Sequence, residues 1–305
     1  MKQRNFTYFV GDFETTVYDN QEYTEVWASA VVPLYSESVI IHHSLLDTFN
    51  YLKALPGNIC IYYHNLKFDG SFWLPFLIEN LGFKQAYLKI KTEQGELIEW
   101  KSEKKMFNKE FKYSISDRGA WYNIIIKVNN KIIEIRDSLK LLPFSVAEIG
   151  KSFGTKHKKL DMEYKGFRFS GCEITPKEKK YIANDVLVVK EALEIMFDQG
   201  HDSLTIGSCC LKEFKRTYDK EYYNILFPNM YDILLDKKTY GAENAGQYIK
   251  RSYKGGWCYY VEGKQGRILS SGSSNQCPDS GTSLPGGRTQ RSVYRKISDV
   301  SGNTV

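Results

Sequence analysis

Short apolar runs set between turn residues alternate with stretches of helical period, the pattern of an α/β domain. The first run, Phe6 to Val10, reads as a buried β-strand rich in aromatics and continues into Gly11-Asp12-Phe13-Glu14-Thr15-Thr16. Strand period places Asp12 and Glu14 on one face and turns Phe13 the other way. Two anions that close repel each other and call for a cation, although a solvated strand end is the simpler reading of a lone Asp-x-Glu. Thr24 to Pro33 and Ser38 to His42 follow as strands, close enough for an antiparallel meander. Ser44 then caps an amphipathic helix to about Leu55, with Leu45, Phe49 and Leu52 on one side, and Pro56-Gly57 ends it.

Asn58 to Tyr63 is the next apolar strand, followed by His64-Asn65-Leu66-Lys67-Phe68-Asp69-Gly70 and a helix expected from about Ser71 to Leu81, closed by Gly82. Strand, polar turn and helix is where α/β proteins place ligand residues. Asp69 is at this point either a helix cap or a ligand. Lys84 to about Lys112 is irregular and charge-rich. Tyr122 to Val128 and Lys131 to Arg136 form a hairpin across Asn129-Asn130. Asp137-Ser138-Leu139-Lys140-Leu141-Leu142-Pro143-Phe144 precedes a short helix over Val146 to Phe153. Lys156-His157-Lys158-Lys159 is either a solvated loop or a phosphate contact. Thr175-Pro176-Lys177-Glu178 is a capping box with proline at the first helical position, opening a helix to about Phe197. On it Tyr181 and Asp185 lie one turn apart, and the apolar run after Asp185 puts that acid at a core boundary. A further helix spans about Ser203 to Arg216, and a less regular segment leads to Tyr253-Lys254-Gly255-Gly256-Trp257.

Composition narrows the classes. There is no signal segment and no long uncharged run, so a cytoplasmic protein without a membrane partner is expected. The cysteines show no C-x-x-C pairing, which argues against a zinc site or a disulfide framework. The net charge of +6 is compatible with a polyanionic partner. Aromatics mixed with Lys and Arg suit single-stranded nucleic acid, where bases stack on rings.

Asp12 and Glu14, Asp69, and Asp185 bring four carboxylates from three separate segments, with Tyr181 beside the last. Two-metal phosphodiester hydrolysis needs such a set, because hard divalent ions take carboxylate oxygens and can stabilise the attacking and leaving oxygens together. With these residues the sequence resembles the protein-primed family B DNA polymerases of phages with linear genomes, in their N-terminal 3′–5′ exonuclease domain. The resemblance rests on D-F-E-T-T at Asp12 to Thr16, H-N-L-K-F-D-G at His64 to Gly70, D-S-L-K-x-L-P-F at Asp137 to Phe144, Y-I-x-N-D at Tyr181 to Asp185 and Y-x-G-G at Tyr253 to Gly256. It implies a ribonuclease-H-like fold, a mixed sheet flanked by helices. It also implies two Mg2+ or Mn2+ ions held by Asp12, Glu14, Asp69 and Asp185, with Tyr181 and Lys159 as catalytic residues. Thr15, His64, Asn65, Phe68, Ser138, Leu139 and Phe144 match positions that hold the single-stranded 3′ end, and Tyr253, Gly255 and Gly256 match a DNA contact between domains. The alternative for Phe68 and Phe144 is a place in the core. Primer-template DNA and a terminal protein are the partners implied, for a monomeric chain.

The family's D-x-x-S-L-Y-P polymerase signature and its later aspartate pair are missing, and 267–305 is rich in Gly, Ser, Thr and Arg. The expected organisation is an exonuclease domain at 1–202, linker helices and the start of a polymerase region at 203–266, and a disordered tail at 267–305. The expected function is a polymerase fragment that proofreads but does not polymerise. The competing readings are an inactive fragment that binds DNA or terminal protein, and a nuclease of the same fold acting on RNA.

Overall fold

The computed structural model describes residues 5–16, 21–92, 95–162 and 167–227, and the side chains of 90–97 are outside that description. The chain divides into two compact units, 1–217 and 218–305. In the first unit the strands are β1 (Phe6–Thr15), β2 (Val26–Pro33), β3 (Ile40–His42), β4 (Asn58–Tyr63), β5 (Lys84–Gln85), β6 (Tyr87–Thr92), β7 (Gly95–Trp100), β8 (Glu110–Ile115), β9 (Trp121–Val128) and β10 (Lys131–Asp137). The helices are α1 (Leu45–Ala54), α2 (Leu66–Pro75), α3 (Val146–Ser152), α4 (Pro176–Asp198) and α5 (Ile206–Arg216). In the second unit the described helix is α6 (Lys220–Leu226), capped by Asp219, whose carboxylate accepts from the Tyr222 N–H. Tyr253, Gly255, Gly256 and the whole 267–305 segment lie outside the described residues.

The main sheet runs β3-β2-β1-β4-β10-β9-β8-β5. Its three central strands, β1, β4 and β10, are parallel, so their C-terminal ends open on the same edge. The flanking pairs β1–β2, β2–β3, β9–β10 and β8–β9 are antiparallel. The β9–β10 turn needs two residues with φ above zero, and Asn129 (48°) and Asn130 (60°) supply them without glycine. Strand alternation feeds two cores. Val10, Trp27 and Tyr62 pack with Ile182, Val186 and Leu193 of α4, while Phe9, Phe13 and Ile61 pack with Leu52 of α1 and Trp73 of α2. The helices therefore cover both faces, and the mixed α/β, ribonuclease-H-like architecture stands.

Two expectations change. The helix expected from Ser71 begins at Leu66 and ends in a π turn over Phe76–Asn80, so Asp69 lies inside its first turn rather than at its start. The stretch 84–112 is not irregular: it holds β5, the two-stranded β6–β7 hairpin and β8.

Candidate nuclease site

Each central parallel strand delivers a motif to the same sheet edge. β1 ends with Asp12, Glu14 and Thr15, β4 runs into His64-Asn65 and α2, and β10 ends at Asp137 before a 3-10 turn over Ser138–Lys140. Asp12 and Glu14 share the face of Val10, the side covered by α4. Asp185 meets them there, and carboxylate oxygens of Asp12, Glu14 and Asp185 all lie within 4.8 Å of one another. Asp69 comes from α2, on the opposite face of the sheet, which is why it stands outside that triad. It is nonetheless close enough to Asp12 for the two charges to repel.

The electrostatics are tense. Burial, then the neighbouring charges of Glu14 and Asp185, push the Asp12 carboxyl well above the ordinary range. Burial and Asp12 do the same to Asp69, partly offset by backbone N–H groups including that of Phe13. Asp185 is also raised by burial, even though Lys159 Nζ is hydrogen-bonded to its Oδ2. One oxygen each of Asp69 and Asp185 is buried with no hydrogen-bond partner. Hard divalent cations fit this donor set: they bind carboxylate oxygens and remove the repulsion that burial amplifies. Lys159 also donates to the Tyr181 hydroxyl at 3.1 Å, and its ammonium sits 5.0 Å from that ring. A cavity of about 150 Å³ is lined by Asp12, His64, Lys159 and Asp185 together with Val10 and Val186.

The other two motifs form a bonded cradle. Asp137 Oδ1 accepts from the backbone N–H groups of Asn65 (3.1 Å), Leu66 (3.2 Å) and Leu139 (3.0 Å), and Oδ2 pairs with Lys140 at 3.2 Å. Asn65 takes a left-handed conformation, φ 67°, and its own side chain caps nothing, so the α2 N-terminus is satisfied from β10. His64 Nε2–H donates to the Phe144 carbonyl at 2.8 Å, and Nδ1 lies 3.0 Å from Ser138 Oγ. Burial lowers the His64 pKa and favours the neutral ring, and the Ser138 hydroxyl that lies beside Nδ1 donates to the Tyr63 carbonyl at 3.1 Å. A Cβ at Gly70 would stand 2.6 Å from the Trp121 ring, so only glycine lets α2 sit this close to β9. Phe68 and Phe144 are 48% and 44% exposed, which excludes a core role for both rings. Thr15 is half-buried, and its carbonyl accepts from Trp27 Nε1.

Two residues went unassigned in the sequence. Asp137 opens its motif but carries no local sign that it caps a helix 72 positions earlier in separation from Asn65. Phe72 is four residues after Phe68 on α2, and the two rings meet edge to face at 5.4 Å; that helical spacing was the available signal.

The family model for DNA polymerase type B, organellar and viral, matches residues 52–172. The DNA polymerase of Bacillus phage B103 is 34% identical over 257 residues, which is 82% of this chain. The chain belongs to the phage-type family B DNA polymerases. Among these polymerases, that of Bacillus phage phi29 is 34% identical over 81% of the chain and that of Streptococcus phage Cp-1 29% over 76%. The solved phi29 DNA polymerase with primer-template DNA and incoming nucleotide superposes with a TM-score of 0.66 and 29% identity, over 86% of this chain and 41% of that one. The phi29 polymerase with single-stranded DNA gives 0.64. The chain spans 39% of the length of the B103 polymerase and 38% of that of phi29. No described helix is long and apolar enough to cross a membrane.

Proposed function

We propose that this chain carries a 3′–5′ exonuclease that removes nucleotides from single-stranded DNA ends, the proofreading part of a protein-primed family B DNA polymerase. The convergence of Asp12, Glu14 and Asp185 within 4.8 Å, with Asp69 buried beside them, carries this reading. Asp12, Glu14, Asp69 and Asp185 would hold two divalent ions, Mg2+ or Mn2+. When bound, these ions would supply Lewis acidity for the attacking water and charge neutralisation for the departing 3′-oxygen. Tyr181 orients the water, and Lys159 fixes the Tyr181 hydroxyl and Asp185 relative to each other. Thr15, Asn65 and Leu139 meet sugar and phosphate, His64 and the fully buried Ser138 lock the turn beneath them rather than reaching DNA, and the exposed Phe68 and Phe144 offer ring faces to bases of any identity. The partners proposed are the single-stranded 3′ end, primer-template DNA and a terminal protein, bound by a monomer in the host cytoplasm. Residues 1–202 form the exonuclease domain in this reading, and Tyr253, Gly255 and Gly256 contact DNA passing to the polymerase region.

The test is a time course on an end-labelled oligonucleotide with Mg2+ or Mn2+. Stepwise shortening by the wild type, lost in Asp12→Ala/Asp69→Ala, is expected; equal shortening by both rules the reading out. DNA retention without hydrolysis would leave a binding fragment, and preference for an RNA oligonucleotide would move the substrate class.

A further inference from the structure

Three buried polar atoms without a hydrogen-bond partner belong to residues that lie under one side of the proposed site: Tyr63 OH, Trp73 Nε1 and Asp69 Oδ1. Asp69 and Trp73 are four residues apart on α2, so both project from one face, one turn above the other. Tyr63 is the last residue of β4. Its ring packs against Gly11, where a Cβ would come within 2.9 Å, and lies 4.9 Å from the Phe13 ring. The Tyr63 and Trp73 rings are 6.4 Å apart and edge to face. The phenol is within electrostatic reach of Asp69 first and Asp12 second, and beside the indole N–H. All three residues are 0–2% exposed.

The chemistry of the three groups is complementary. An indole N–H only donates, a phenol both accepts and donates, and a carboxylate only accepts. One ordering satisfies all of them: Trp73 Nε1–H to Tyr63 O, and Tyr63 O–H to Asp69 Oδ1. Any other leaves a donor or acceptor buried unpaired. We propose that Tyr63, backed by Trp73, is a positioning residue that fixes the orientation of the Asp69 carboxylate for a divalent cation. Partners of this kind orient ligands and commonly govern metal affinity. Gly11 belongs to the same device, because a side chain there would displace the Tyr63 ring from beneath the strand end.

This inference rests on the two-metal reading, and the experiment separates their failures. Mn2+ binding to metal-free protein is measured by electron paramagnetic resonance, without DNA or turnover, for wild type, Tyr63→Phe, Asp69→Asn, the Tyr63→Phe/Asp69→Asn double variant and Asp12→Ala/Asp69→Ala. Thermal unfolding of each is followed in parallel. Tyr63→Phe removes one oxygen and keeps the ring, so folding is retained. The expected result is a loss of about 10-fold in Mn2+ affinity in Tyr63→Phe, with no further loss when it is added to Asp69→Asn. Unchanged affinity in Tyr63→Phe overturns the inference while leaving the site intact. So does a loss that adds in full to that of Asp69→Asn. Equal binding by wild type and Asp12→Ala/Asp69→Ala overturns the metal reading and this inference with it.

Discussion

The ends of β1 and β10 both carry a buried or half-buried aspartate on the same sheet edge, and the two acids live in opposite circumstances. Asp137 is surrounded by donors: three backbone N–H groups and Lys140. Asp12 is surrounded by acceptors, with Glu14, Asp69 and Asp185 as its neighbours and Lys159 as the main relief. The first arrangement makes a rigid turn that locks the motif after β4 to the motif after β10. The second stores repulsion that a cation would release. The proposed function needs both, one to hold DNA in one geometry and one to bind ions reversibly, and the sheet supplies them on the two parallel strands that flank β4.

The contrast breaks most visibly at Asp12. Asp12→Asn removes a charge from the repelling group, and oligonucleotide hydrolysis is expected to fall by at least about 10²-fold. The metal-free protein should meanwhile unfold at a higher temperature, by roughly 2–4 °C for each kcal/mol of repulsion relieved. A lowered midpoint in the metal-free variant would show that Asp12 is satisfied rather than strained. Asp137→Ala should do the reverse to stability, costing about 3 kcal/mol by leaving backbone donors without their acceptor. Its remaining activity should show a raised KM, and Asp137→Asn, which keeps an acceptor, should recover much of the loss in urea titrations. Phe68→Ala and Phe144→Ala touch neither acid. Each is expected to weaken single-stranded DNA binding by about 1–3 kcal/mol in fluorescence anisotropy while leaving the unfolding midpoint in place.

The smallest effect lies at the start of α4. Burial pushes Glu178 up, but hydrogen bonds from Arg168 and from the Thr175 cap outweigh it and bring the carboxyl below its ordinary value of 4.5. A depressed folded-state pKa stabilises the fold above the unfolded value and loses that contribution as pH falls through the folded one. Glu178→Gln should therefore flatten the stability curve below about pH 4.5. An unchanged acid limb would show that other carboxylates carry it.

Local rules reached far into this chain where partners are near in sequence. Ser44 and Thr175 cap the helices they precede, and Asn129-Asn130 turns the hairpin. They failed where the partner is remote. The start of α2 at Leu66 was invisible because its cap is Asp137, supplied by a strand that pairs only after folding. The β6–β7 hairpin pairs outside the main sheet, and its described side chains remain exposed, with Leu88 at 39% and Ile98 at 63%, so its short run Leu88-Lys89-Ile90-Lys91 reads as part of a charge-rich stretch rather than as a strand.

By itself, the sequence determined the strand that carries Asp12 and Glu14, the helical spacing that joins Tyr181 to Asp185, and the motifs that place the chain among phage-type polymerases. Strand and helix periods are properties of neighbouring residues, and they survive without any tertiary context. Only the tertiary structure decided which acids meet. It set Asp185 against Asp12 and Glu14 on the α4 face, brought Asp69 from the other side, and assigned Asp137 to hold rather than to bind. Those outcomes depend on the order and direction of three central strands, and charge repulsion, desolvation and shared donors act only once those strands are side by side.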